Sequence, residues 1–155
     1  MGCRWGASRG LLPGISNAAK DESTMNISFE GKTVMVTGGG HGLGREMAVA
    51  FAARGASVWT CDLSEENLQE TRSLAGGACE TRVVDVRDRD AVRGLVAEAS
   101  GTNGQVDILV NNAGGVVGQV GRPLEEVTAE EWQVIFDVNL TGAFNFSQAV
   151  APGMK

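Results

Sequence analysis

Thr37-Gly38-Gly39-Gly40-His41-Gly42-Leu43-Gly44 is the stretch on which the reading of this chain turns. The residues before it, Thr33 to Thr37, read as a β-strand. Those after it carry Leu43, Met47, Ala50 and Phe51 at helical spacing, with Gly55 placed to end the run. A strand that turns through glycines into a helix is a cradle for a diphosphate, because the anion must approach the amides of the helix N-terminus where a side chain would block it, and the helix dipole favours its charge. The form G-x-G-x-x-G does not fit, since Leu43 stands where the third glycine would fall after Gly38 and Gly40. The form that fits is T-G-x-x-x-G-x-G. Taken alone, such a cluster also reads as a flexible turn, and its surroundings have to decide.

Outward from this turn, short β-branched runs alternate with helical patterns. Further strands are expected at Ser57 to Cys61, Thr81 to Val84 and Val106 to Val110. Ser64 is the expected N-cap of a second helix, with Glu65 and Glu66 in its first turn, Leu63 and Leu68 as a hydrophobic staple and Gly76-Gly77 as its stop. Val92, Leu95, Val96 and Ala99 line a third helix before Gly101. Thr128 and Glu131 form a capping box for a fourth, in which Val127 staples to Trp132 and the apolar face continues through Ile135 and Phe136. Strands alternating with helices and joined by right-handed crossovers give an α/β, doubly wound parallel sheet, with ligand sites just beyond the carboxyl ends of the strands.

Composition narrows the partners. Of 155 residues, 43% are apolar and 21% charged, as expected of one globular domain. The net charge of −6 is the wrong sign for nucleic acid or an anionic membrane surface, so a small molecule is the expected partner. No apolar run approaches the roughly 18 residues of a membrane span, and Leu11-Leu12 is too short for a signal sequence. Cys3, Cys61 and Cys79 lack metal-ligand spacing and His41 is the sole histidine, so no metal and a cytoplasmic setting are expected. Residues 1–24 show no periodicity and are read as a disordered extension, either an upstream start read into the gene or an organelle transit peptide. The dinucleotide-binding domain is assigned to 25–155.

The remaining candidates fall at the ends of the other strands. Asp62 closes the second, 20 residues after Gly42, where a carboxylate can accept from ribose hydroxyls and repel a 2′-phosphate; alone, it reads equally as a residue preceding a helix cap. Asp85-Val86 follows the third strand, where an Asp also reads as a helix cap. Asn111-Asn112-Ala113-Gly114 follows the fourth, a small-residue turn that lets backbone pass close to a ligand while an Asn amide satisfies neighbouring strands. Asn139 lies at i+7 from Trp132 on the stripe of Ile135 and Phe136, a polar amide aimed at a face expected to be buried.

With Thr37, Gly38, Gly42 and Gly44 in T-G-x-x-x-G-x-G, the tetrapeptide N-N-A-G at 111–114 and V-N-L-T-G at 138–142, residues 27 to 155 resemble the short-chain dehydrogenase/reductase family. The resemblance implies a Rossmann-like sheet of strand order 3-2-1-4-5-6-7, of which the first four strands are present. It implies NAD(P)-dependent hydride transfer between nicotinamide and an alcohol/carbonyl substrate, in an enzyme that forms homo-oligomers. It places Thr37, Gly38, Gly40, His41, Gly42, Leu43 and Gly44 around the pyrophosphate. Asp62 falls at the adenosine ribose, Asp85 and Val86 at the adenine, and Asn111, Ala113 and Gly114 beside the cofactor. Asn139 becomes the catalytic-site residue that bends its helix and holds a proton-relaying water; a purely structural amide is the other reading. Asp62 favours NAD over NADP, while a protonated His41 pulls toward NADP. The family's serine and Y-x-x-x-K are not in this sequence, which contains no tyrosine. The chain is therefore expected to be an N-terminal fragment, inactive by itself. The rival expectation is a non-catalytic dinucleotide-binding or interaction module.

Overall fold

A computed structural model describes residues 27–155; the extension expected at 1–24 lies outside the described residues. In chain order the elements are β1 (Thr33–Thr37), α1 (Gly42–Ala52), β2 (Ser57–Asp62), α2 (Glu65–Leu74), β3 (Cys79–Val83), α3 (Arg89–Asn103), β4 (Ile108–Val110), a 3-10 turn (Leu124–Glu126), α4 (Ala129–Phe136), a π-helical segment (Asp137–Thr141) and α5 (Gly142–Val150). The four strands form one parallel sheet in the order β3-β2-β1-β4. The chain thus has the expected doubly wound α/β architecture, with β1 central and the strand order reversing between β1 and β4.

β1 explains why the sheet is covered twice. Its residues are all buried, as expected of a strand with helices on both faces. Alternation sends Met35 to one side with Trp59, Val92, Leu95, Val96, Ala99, Phe146 and Val150, beneath α3 and α5. Val34 and Val36 go to the other with Ala48, Val58 and Cys79, where Met47 and Phe51 of α1 close the layer. Thr60, wholly buried in β2, is accommodated by donating to the Val36 carbonyl at 2.6 Å.

Four boundaries differ from expectation for local reasons. β2 runs one residue further, to Asp62, because Asp62 still pairs with Val83. β3 begins at Cys79, opposite Val58, and ends at Val83, which frees Val84 to line a cleft. β4 begins only at Ile108, because the Asp107 carboxylate takes the Thr33 amide at 2.8 Å and Lys32 at 3.2 Å where a longer ladder would run. α3 passes through Gly101 and stops at Asn103. The residue that ends it is Gly104, at φ 91°, in the left-handed region that suits glycine.

The staple at the start of α2 does not form as expected, since Leu68 is buried but Leu63 is 66% exposed and faces the cleft. On α4, Trp132 packs at a tilt against Phe136, 4.9 Å between ring centroids. The face shared by Trp132 and Phe136 is exposed rather than buried, because α4 contributes no buried residue and the core is reached further along, by Val138 of the π-helical segment and by Phe146 and Val150 of α5. Among the described residues no helix is long and apolar enough to cross a membrane.

Candidate functional site

A cleft of about 530 Å³ opens at the carboxyl ends of the strands, within the roughly 300–1,000 Å³ common for small-molecule sites. Gly38, His41, Gly42, Leu43, Gly44, Asp62, Asp85, Val86, Ala113 and Gly114 all line it, ten of the candidates chosen from sequence. Thr37, Gly40, Asn111 and Asn139 do not. Asn111 is exposed and donates to Ser147 Oγ at 3.1 Å, and the other three act from behind the wall.

The glycine turn is built by exclusion. Gly38 sits at φ 68°, and a Cβ there would lie 2.8 Å from the Ala113 Cα; a Cβ on Gly40 would lie 2.7 Å from the Asp62 carboxyl carbon. A Cβ on Gly44 would lie 2.5 Å from Asn112 Nδ2 and nearer still to the Gly38 carbonyl oxygen. The first turn of α1 therefore rests directly on the end of β1. Thr37 locks this arrangement to β4, its Oγ1 accepting from the amides of Asn112 at 3.0 Å and Ala113 at 2.9 Å. Asn112 returns the contact, Nδ2 donating to the carbonyls of Thr37 at 3.0 Å and Gly38 at 3.1 Å.

The helix entrances differ in one respect. Ser64, Asp88 and Thr128 each accept backbone amides at the starts of α2, α3 and α4, the last in a complete capping box with Glu131. At the start of α1, His41 is extended and its side chain caps nothing. The first amides of a helix carry no intrahelical partner. Those of α1 open on the cleft, in the positive field of the helix N-terminus.

The two carboxylates on the cleft are in different states of engagement. Asp62 Oδ1 accepts from the amides of Leu63 at 2.8 Å and Ser64 at 3.3 Å, and Oδ2 from Gly40 at 3.0 Å. A carboxylate offers about four acceptor sites, so one remains on Oδ2. Asp85 has none to spare, because Arg87 donates its amide at 2.9 Å, Nε to both oxygens at 3.0 Å and Nη2 at 2.6 Å. Those bonds from Arg87 hold the Asp85 carboxyl below the usual carboxylate range. Cys61, beside them on β2, is the reverse case, its thiol pushed up to about 12 by burial.

Sequence reasoning missed the groups that hold the turn from behind. Arg45, in the first turn of α1, donates Nε to the Gly40 carbonyl at 3.0 Å and to Thr71 Oγ1 at 3.1 Å, and Nη2 to the Gly40 carbonyl as well. It also pairs with Glu70 at 2.7 Å. Thr71, fully buried on α2, donates to the Gly39 carbonyl at 2.8 Å. Both carbonyls are thus drawn away from the cleft. Arg87, Val134 and Val138 were missed as lining residues. The helical spacing of Val134 and Val138 was the available signal.

Asn139 lies in the π-helical segment, where the hydrogen-bond ladder departs from the α-helical pattern. Its Oδ1 accepts from the Gly115 amide at 3.0 Å, and its Nδ2 donates to the carbonyls of Gly115 at 2.8 Å and Ile135 at 2.7 Å. It clamps the loop after β4, which lines the cleft at Gly114, Gly115 and Val117. Among the described residues no group of three His, Cys, Asp or Glu side chains is placed to hold a metal.

Residues 32–155 match the family model for short chain dehydrogenase. The chain belongs to the short-chain dehydrogenase family. Within that family it is 36% identical over 132 residues to a 3-oxoacyl-acyl-carrier-protein reductase of Thermotoga maritima, covering 83% of this chain and 52% of the relative. Carveol dehydrogenase from Mycobacterium avium, solved in complex with NAD, superposes with a TM-score of 0.74 at 33% identity, over 81% of this chain and 50% of that one. A short chain dehydrogenase from Mycobacterium paratuberculosis, bound to NAD, gives 0.76 at 31% identity, over 83% and 52%. The chain spans about half the length of these family members.

Proposed function

We propose that this chain carries the cofactor site of an NAD-dependent oxidoreductase that moves hydride between nicotinamide and an alcohol/carbonyl pair. The observation that carries the reading is the uncapped start of α1 over a turn whose Gly38, Gly39, Gly40 and Gly44 leave no room for a Cβ. A pyrophosphate is the group that such amides suit, and two of the family's solved structures are described as bound to NAD. In this reading Gly42, Leu43 and Gly44 present amides to the pyrophosphate and His41 borders it. The free acceptor site of Asp62 Oδ2 takes a ribose hydroxyl. Val86 borders the adenine, beside an Asp85 carboxylate whose acceptor sites Arg87 fills. Ala113 and Gly114 flank the inner ribose, while Asn111, expected there, faces Ser147 outside the cleft, and Asn139 holds the loop at Gly115 and through it the place of a proton-relaying water. The bound dinucleotide supplies the hydride acceptor or donor.

NAD is favoured over NADP because a 2′-phosphate beside Asp62 would meet like charge. Apolar Val116, Val117 and Val120 in the loop after β4 suit an uncharged alcohol or ketone. The 155 residues contain no tyrosine, the family's proton donor, so no turnover is expected from them alone. General acid–base help is typically worth about 10²- to 10⁴-fold. Calorimetric titration with NAD and NADP tests the assignment: NAD should bind more tightly and Asp62→Ala should narrow the gap. Tighter binding of NADP by the unmutated chain would refute it.

A further inference from the structure

Besides lining the cleft with Val134 and Val138, the helical run from Ala129 to Val150 holds its rim at two separate places. Asn139 grips Gly115 beyond β4. Further along, Gly142 and Asn145 meet Val86 and Arg87, the rim beyond β3. Asn145 is 5% exposed, and its Nδ2 donates to the Val86 carbonyl at 3.1 Å and the Arg87 carbonyl at 3.4 Å. Gly142 lies against Val86 so closely that a Cβ there would fall 2.5 Å from Val86 Cγ2.

The Val86–Arg87 peptide makes this more than packing. A trans peptide is planar, so its C=O and N–H point in opposite directions. The carbonyl is held by Asn145 and the amide donates to Asp85 Oδ1 at 2.9 Å. One peptide group therefore spans from α5 to the carboxylate on the cleft, and its orientation is set from the far end. Asn145 touches no lining surface itself and works through that peptide.

We propose that Asn145 and Gly142 are positioning residues that fix the adenine end of the cleft by holding the Val86–Arg87 peptide. This rests on the reading of the cleft as a dinucleotide site. Without the Nδ2 donor the peptide can rotate, and Asp85 and Val86 lose their fixed place relative to the glycine turn.

The test compares two probes on the full chain: ADP-ribose, which carries the adenine end of NAD, and nicotinamide mononucleotide, which lacks it. Asn145→Ala should weaken ADP-ribose by about tenfold, the fold-change of one lost hydrogen bond of ordinary net strength, and leave the mononucleotide unchanged. Asn145→Asp keeps the shape but turns a charge onto two carbonyl oxygens, so its loss should be larger. Gly142→Ala presses the same rim without removing a hydrogen bond and should show the same selective loss; adding Val86→Ala restores space and should recover part of it. If the Asn145 variants do not fold by circular dichroism, the Gly142 pair decides. Equal weakening of both probes, or of neither, in folded variants overturns the proposal. Failure of the unmutated chain to bind ADP-ribose would instead remove the dinucleotide reading beneath it.

Discussion

Thr71→Val isolates the support of the glycine turn from every other feature of the cleft. Valine keeps the β-branched shape that fits a fully buried site on α2, so packing changes little. What disappears is the hydroxyl that donates to the Gly39 carbonyl at 2.8 Å and accepts from Arg45 Nε at 3.1 Å. A buried carbonyl left without its donor costs about 1–3 kcal/mol. The Arg45 contact adds less than an ordinary charged hydrogen bond, because the same Nε already shares the Gly40 carbonyl at 3.0 Å. The sum is about 2–3 kcal/mol. For a domain of this size a loss of 1 kcal/mol moves Tm by roughly 3–5 °C, so a fall of about 6–15 °C is expected. Differential scanning calorimetry measures it, and NAD titration should weaken in parallel as the turn loosens. A Tm within 2 °C of the parent, with unchanged NAD affinity, would show that the turn does not depend on α2.

Gly44→Ala should destabilise by about 1–3 kcal/mol through overpacking, whereas Gly94→Ala and Gly101→Ala, on α3 with nothing near the added methyl, should each stabilise by about 0.5–1 kcal/mol; urea unfolding separates the two classes. Cys61 and Cys79, both buried with thiols pushed up to about 12, should resist iodoacetamide at pH 8 until the protein is unfolded. Peptide mapping that found either alkylated as fast as a free thiol would contradict their burial. The Thr128 amide, with Arg122, holds Glu131 below the ordinary carboxyl range. Its contribution is therefore complete above the unfolded value of about 4.3 and is lost as pH falls through the lower folded value. Helix signal from α4 should fall as pH drops below about 4.3 in the parent and show no such step in Glu131→Gln, whose amide does not titrate, as followed by NMR.

What was legible in the sequence was what is local. The Thr128–Glu131 capping box needs residues three apart, and the strand-turn-helix at 33–52 lies in one stretch, so both are visible without a fold. Arg45 and Thr71 are 26 residues apart and Asn145 reaches Val86 across 59, each pairing with a carbonyl that any residue would carry. No pattern of side chains announces such contacts. The boundaries of β3 and β4 slipped for a related reason: their first residues are set by partners on β2 and β1, and for β4 by one carboxylate, Asp107.

The close approach of α1 to β1 has a bearing on how this protein can change over generations. At the glycine turn the inward-facing polar groups are main chain, which mutation cannot remove, so damage there comes almost only from adding atoms. Drift should be one-sided. Positions 38, 40 and 44 can hardly grow, while Arg45, Thr71 and Asn145, out of sight of the cleft, can fail by shrinking. A survey of random variants should therefore find loss of binding in two populations: gains of volume in the wall, and losses of hydrogen-bonding groups a layer behind it.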